Sequence, residues 1–315
     1  MVIRPQPLLA VAGATAALSA AAIALGGGSA SAATSAVRTG SVSGNWAGYV
    51  AQGNNFSSVR GSWVQPSATC SSPGTYSAFW VGLGGDGSQS SALEQTGTQA
   101  NCTADGSTDY YAWYELVPAA PVKLDLAIKP GDHISATVSV GGSNVTVSLS
   151  DQTTGQSTAK TLQMDNPDVS SAEWIAEAPS ACDGSGSCQP LPLSDFGTVQ
   201  FTSATATANG HTGTISDPNW SSQRVALGSS GISDVSYGSD SGASSADPTS
   251  LSSDGSSFSV AYQGATGASS GVPSGDGYGN SGYPGDGYGP GGGYGPQGYG
   301  GDGYGYSYGD GYGWF

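Results

Sequence analysis

Positive charge is scarce in this chain. Its 315 residues hold seven Lys and Arg against 23 Asp and Glu, a formal net charge of −16, and no Lys or Arg follows Arg224. Without a basic stripe to track a phosphate backbone, nucleic-acid binding is excluded as a function class. Histidine is nearly as rare: His133 and His211 leave almost nothing from which to build a His-rich metal site or a Ser/His/Asp triad. Between Ser41 and about Gln263 no stretch sustains a 3.6-residue apolar period, so no major helix is expected. Glutamate is also sparse, with Glu94, Glu115, Glu173 and Glu177 standing against nineteen aspartates. The position of so rare a residue is informative.

Arg4, the apolar run from Leu8 to Leu25 and the Ala30-Ser31-Ala32 motif read as a secretory signal peptide over residues 1–32. An uncleaved membrane anchor is the alternative, but Gly13, Thr15 and Ser19 interrupt the run and the cleavage motif favours export. A secreted, extracellular protein without a membrane segment after cleavage is therefore expected. Export permits disulfides, and the four cysteines fall in two near pairs, Cys70 with Cys102 and Cys182 with Cys188. Of the three connectivities, the local one is favoured.

Residues 33–40 read as a short linker or residual propeptide, and 41–263 as one β domain. From 264 to the C-terminus the chain is low-complexity. Over the last 45 residues 20 are Gly and nine are Tyr, with Asp-Gly-Tyr-Gly at Asp276, Asp286, Asp302 and Asp310. So few aliphatic side chains do not offset the entropy of ordering a backbone, and a disordered tail is expected. It serves as a spacer, or as an aromatic surface for weak glycan or cell-wall contact.

Within the β domain, Ile134, Ala136, Val138 and Val140 alternate with polar residues, Gly141 to Ser143 turn, and Val145, Val147 and Leu149 alternate again. That is an antiparallel hairpin with one buried face. Further strands are expected at Asn45–Val50, Val59–Val64, Ser77–Leu83, Tyr110–Val117, Val122–Ile128, Ala172–Glu177 and Val199–Ala206. Closely spaced strands without intervening helices indicate a sandwich or barrel.

The four glutamates sit in three blocks, Leu93-Glu-Gln-Thr-Gly97, Ala112-Trp-Tyr-Glu115 and Ala172-Glu-Trp-Ile-Ala-Glu177. In an extended strand Glu173 and Glu177 share a face about 13 Å apart, too far for a glycosidase carboxylate pair drawn from this strand alone. Taken singly, the tryptophans read equally well as core and the glutamates as solvated or hydrogen-bonded groups.

In combination the blocks are more specific. Asn45-Trp46-x-Gly48, Trp80-Val-Gly82, Leu93-x-Gln95-Thr-Gly97, Ala112–Glu115, Thr153–Gln156, Ala172–Glu177, the loop from Cys182 to Cys188 and Val199-x-Phe201-Thr202 follow one another over roughly residues 43 to 205. In order and spacing this series resembles the eqolisin family of glutamic peptidases. The resemblance implies an all-β, concanavalin-like β-sandwich of two curved antiparallel sheets with a cleft on the concave face.

It further implies an acid endopeptidase with Gln95 and Glu177 as catalytic dyad, Trp80, Trp113 and Glu115 lining the cleft, and no metal or cofactor. The expected partners are protein or peptide substrates, met by a monomer. Glu177 would act as general base toward water, and Gln95 as amide donor to the oxyanion. An ordinary Glu titrates near about 4.3, which suits acid operation. Two features depart from better-known fungal members: Gly84 stands where they carry Asp after Trp-Val-Gly-[Ile/Leu], and Leu116-Val117 replace two aromatics. Two other readings remain at this level. One is a lectin-like sandwich stacking sugars on Trp46, Trp80 and Trp113; the other is a glycosidase using Glu115 and Glu177.

Overall fold

The computed structural model describes residues 38–87, 90–183, 188–228 and 244–264. The signal peptide expected at 1–32, residues 33–37 of the expected linker and the low-complexity tail from 265 onward lie outside them.

Every regular element among the described residues is a strand. The first six are β1 (Arg38–Ser43), β2 (Trp46–Gln52), β3 (Phe56–Val64), β4 (Ala78–Gly84), β5 (Leu93–Cys102) and β6 (Thr108–Val117). The next six are β7 (Val122–Ala127), β8 (His133–Gly141), β9 (Asn144–Asp151), β10 (Gln156–Gln163), β11 (Ser171–Glu177) and β12 (Ser180–Cys182). The last six are β13 (Cys188–Pro190), β14 (Thr198–Ala208), β15 (His211–Thr214), β16 (Ser221–Leu227), β17 (Ser245–Pro248) and β18 (Phe258–Gln263).

Hydrogen bonding runs continuously in the order β10-β9-β8-β3-β14-β18-β17-β16-β2-β11-β4-β5-β6-β7, with β15 beside β14 and β1 beside β16. All pairs are antiparallel except β1 with β16, so β1 begins at Arg38, inside the stretch read as a linker. Strands β12 and β13 form a separate two-stranded ribbon closed by the Cys182–Cys188 disulfide. The second bridge joins Cys70 to Cys102, the local pairing the spacing favoured.

The long ribbon folds into two leaves joined where β16 meets β17 through the single pair Leu227↔Ala246. Period-2 alternation aims one face of each leaf at the other. Val138, Val147, Leu149, Phe201 and Phe258 from one leaf share a core with Tyr49, Phe79, Val81 and Trp174 from the other. Ring contacts cross the interface, Tyr49 meeting Phe258 at 4.8 Å. Buried indole donors cross it too: Trp63 Nε1 donates to Thr98 Oγ1 at 3.0 Å and Trp174 Nε1 to the Arg60 carbonyl at 2.7 Å. Polar groups placed in the core thus keep partners, as burial requires.

The sandwich architecture expected from the sequence is present. Strand β5 is where the pattern gives least warning: all ten of its residues are buried, although most are polar. Its second face belongs to the candidate site.

Candidate active site

Alternation along β11 sends Trp174 and Ala176 into the inter-leaf core and Glu173, Ile175 and Glu177 to the opposite face. Strand register extends that face into three rows. Trp46 (β2), Glu177 (β11), Ala78 (β4), Gln99 (β5) and Tyr111 (β6) lie abreast in the first. Gly48, Ile175, Trp80, Gly97 and Trp113 form the second, and Val50, Glu173, Gly82, Gln95 and Glu115 the third.

Glu177 ends β11 and receives three hydrogen bonds. Trp80 Nε1 donates to Oε2 at 2.7 Å, Asn45 Nδ2 to Oε1 at 2.9 Å and Trp46 Nε1 to Oε1 at 3.3 Å. The Ser43 hydroxyl donates to Asn45 Oδ1 at 3.2 Å, which turns the amide nitrogen toward the carboxylate. The Trp46 ring stands edge-on to Trp80, centroids 5.1 Å apart, fixing both donors. Burial pushes Glu177 up to about 7, while the three donors pull the other way by favouring the anion. The structure therefore displaces the ordinary carboxylate titration expected from sequence.

Gln95 lies two strands from Glu177 and four residues along, about 16 Å between Cα atoms on a flat sheet. Trp80 sits at the middle of that diagonal, with Gly97 directly beside it. A Cβ on Gly97 would fall 2.1 Å from the Phe79 carbonyl and 2.6 Å from Trp80 Cβ, so only glycine lets β5 close on β4 here. The Gln95 amide donates from Nε2 to Glu115 Oε2 at 2.8 Å, and its Oε1 is buried without a hydrogen-bond partner. The amide is thereby oriented by Glu115, with its second N–H left to serve a ligand.

The other expected site residues are placed as follows. Trp80 is fully buried and donates to Glu177. Trp113 is 3% exposed, with its Nε1 lacking a hydrogen-bond partner, and Glu115 is 1% exposed and engaged with Gln95. A sugar-stacking surface of Trp46, Trp80 and Trp113 is therefore absent, because two of the three rings are buried. The Glu115 and Glu177 pair is no better placed for glycoside chemistry: the two residues stand three strands and four residues apart, with Glu115 committed to Gln95. Asn45 and Trp46 are site residues to which the peptidase reading of the motifs assigns no role; their place just before and at the start of β2 is the available signal. Among the described residues no group of three or more His, Cys, Asp or Glu is arranged to hold a metal.

The arrangement defines a class: an all-β sandwich presenting a hydrogen-bonded carboxylate and an oriented carboxamide on one face. The Peptidase A4 family profile matches residues 44–244, and the chain belongs to that family, the eqolisins. It is 33% identical over 194 residues to aspergillopepsin-2 of Aspergillus niger, a match covering 54% of this chain and 66% of that protein. It is 30% identical over 183 residues to scytalidopepsin B of Scytalidium lignicola, covering 56% of this chain and 68% of the relative. Among solved structures, scytalido-glutamic peptidase with a transition state analog inhibitor matches at TM-score 0.56 and 26% identity, covering 70% of this chain and 98% of that one.

Proposed function

We propose that the protein is a secreted, acid-active glutamic endopeptidase that hydrolyses peptide bonds of protein substrates without a metal. Glu177 takes the proton of a water attacking the scissile carbonyl and returns it to the departing amine. The free N–H of Gln95 donates to the oxyanion, and Glu115 holds that amide in orientation. The observation that carries this reading is the three-donor cradle of Trp80, Asn45 and Trp46 around Glu177. Such donors stabilise a carboxylate that burial would otherwise keep protonated.

The pH range follows from opposed titrations. With Glu177 at about 7, roughly one molecule in a thousand holds the carboxylate at pH 4, so kcat/KM climbs with pH from strong acid. Glu94, raised to about 8 chiefly by burial, weakens the fold as pH rises through the same interval. Carboxylate availability and fold stability thus respond to pH in opposite senses between acid and neutrality.

The test compares wild type, Glu177→Gln and Gln95→Ala on an acid-denatured protein substrate, with circular dichroism to show that each variant folds. Loss of about a thousandfold or more in kcat is expected for Glu177→Gln. Wild-type activity in either folded variant would refute the assignment.

A further inference from the structure

Glu173 has no part in the chemistry above, yet it is fully buried, and neither of its carboxyl oxygens completes a hydrogen bond. The Ser171 hydroxyl, two residues earlier on the same face, is near enough to favour its anion but does not close a bond to it. The charges that reach it are all negative: Asp86 beyond β4, Asp168 before β11 and Glu94 on the far side of β5. Strands β2 and β4, which flank β11, carry no Lys or Arg. On β16, one strand further, Arg224 pairs across to Tyr49, which faces the inter-leaf core, away from Glu173. Glu115, in the same row, is occupied with Gln95.

An anion so placed is cut off from solvent and has neither a cation nor a completed hydrogen bond, so the folded protein holds Glu173 as the neutral acid. Its position gives that state a consequence. Glu173 shares β11 with Glu177 and lies in one row with Gly82, Gln95 and Glu115. Ionisation would be relieved by parting β11 from β2 or β4 to admit water; β11 carries Glu177, and β4 is the strand on which the Gln95 strand β5 is registered.

We propose that Glu173 is a positioning residue that works un-ionised: its neutral carboxyl keeps the β2-β11-β4 seam closed around Glu177, and loss of its proton switches the peptidase off. The switch rests on the dyad reading; the neutral state of Glu173 does not. Its removal of activity as pH rises is separate from the titration of Glu177, which acts in the opposite direction on the rate.

Because the chain has four glutamates, ¹³C-carboxyl labelling of glutamate yields four signals, each assigned by its Glu→Gln variant. In wild type the Glu173 signal is expected to stay that of a neutral acid at pH 6. Glu173→Gln, which mimics the acid, is expected to keep kcat at pH 5 within about threefold of wild type and to move the alkaline fall in kcat up by about one pH unit or more. Its thermal unfolding midpoint should resist alkali to the same extent, whereas Glu173→Asp should not reproduce either gain. A Glu173 signal titrating near the ordinary carboxylate value overturns the proposal, as does a folded Glu173→Gln with an unchanged alkaline limb or with activity lost throughout acid. If Glu173→Gln fails to fold, the Glu173 signal, assigned by elimination from the other three variants, decides alone. Should Glu177→Gln remain active, the dyad reading fails while the carboxyl signal and the unfolding profile still judge Glu173.

Discussion

Trp80→Phe isolates one donor of the cradle around Glu177. The substitution keeps an aromatic ring against Trp46 and deletes the Nε1–H that sits 2.7 Å from Glu177 Oε2. A hydrogen bond to a charged group contributes about 1.5–3 kcal/mol. Because the bond favours the ionised form, and one pKa unit corresponds to about 1.4 kcal/mol, its loss raises Glu177 by about one to two units above its value of about 7. Below pH 7 the carboxylate fraction, and with it kcat/KM, then falls about 10- to 100-fold. The deficit shrinks as pH rises toward the new value. The ¹³C-carboxyl titration of Glu177 and the pH profile of kcat/KM measure the same displacement independently. A Glu177 titration unmoved in the folded variant, or a rate loss of equal size at every pH, would refute the assignment of this donor to the carboxylate.

Two further outcomes follow from packing and linkage. Burial holds Glu94 at about 8 against a reference of 4.5, a difference of about 3.5 units or about 5 kcal/mol. A group raised in the folded state costs nothing below pH 4.5 and destabilises progressively up to about pH 8. Glu94→Gln should therefore match wild type in urea unfolding at pH 4 and exceed it by several kcal/mol at pH 8; equal gains at both pH values would contradict this origin. Gly97→Ala forces a methyl to within 2.1 Å of the Phe79 carbonyl. It should lower stability by about 3 kcal/mol or more and displace Trp80, read as a lower melting temperature together with reduced kcat; a wild-type melting curve would show that β4 and β5 tolerate separation.

Much of the fold was legible where one face of a strand is apolar. The hairpin of β8 and β9 sets Ala136, Val138 and Val140 opposite Leu149, Val147 and Val145, the alternation visible in the sequence. Strand β10 was missed because Gln156–Gln163 is polar on both faces and holds its place by pairing with β9. Strand β16 shows no clean alternation, burying Ser222, Val225 and Leu227, and β17 spans only four residues, so neither stands out in the sequence.

The site divides in the same way. Rarity singled out the four glutamates, and motif order singled out Gln95 and Glu177. What escaped was the cradle: Asn45 reaches Glu177 across 132 residues of sequence, a proximity fixed by the register of β2 on β11 rather than by local pattern. The rise of Glu177 to about 7 escaped for the same cause, because burial is a property of neighbours brought together only by folding.

That register has a consequence for when the protein becomes dangerous to its surroundings. Glu177 faces Trp46 on one side and Ala78 on the other, and a slip of one residue along β11 would turn it into the inter-leaf core and bring Ala176 or Ala178 out in its place. Under the proposed mechanism, hydrolytic capacity is thus an all-or-none report on strand alignment. On that mechanism a chain that has collapsed but mispaired has no partly competent centre, and proteolysis would begin only with molecules whose three central strands have passed this alignment check.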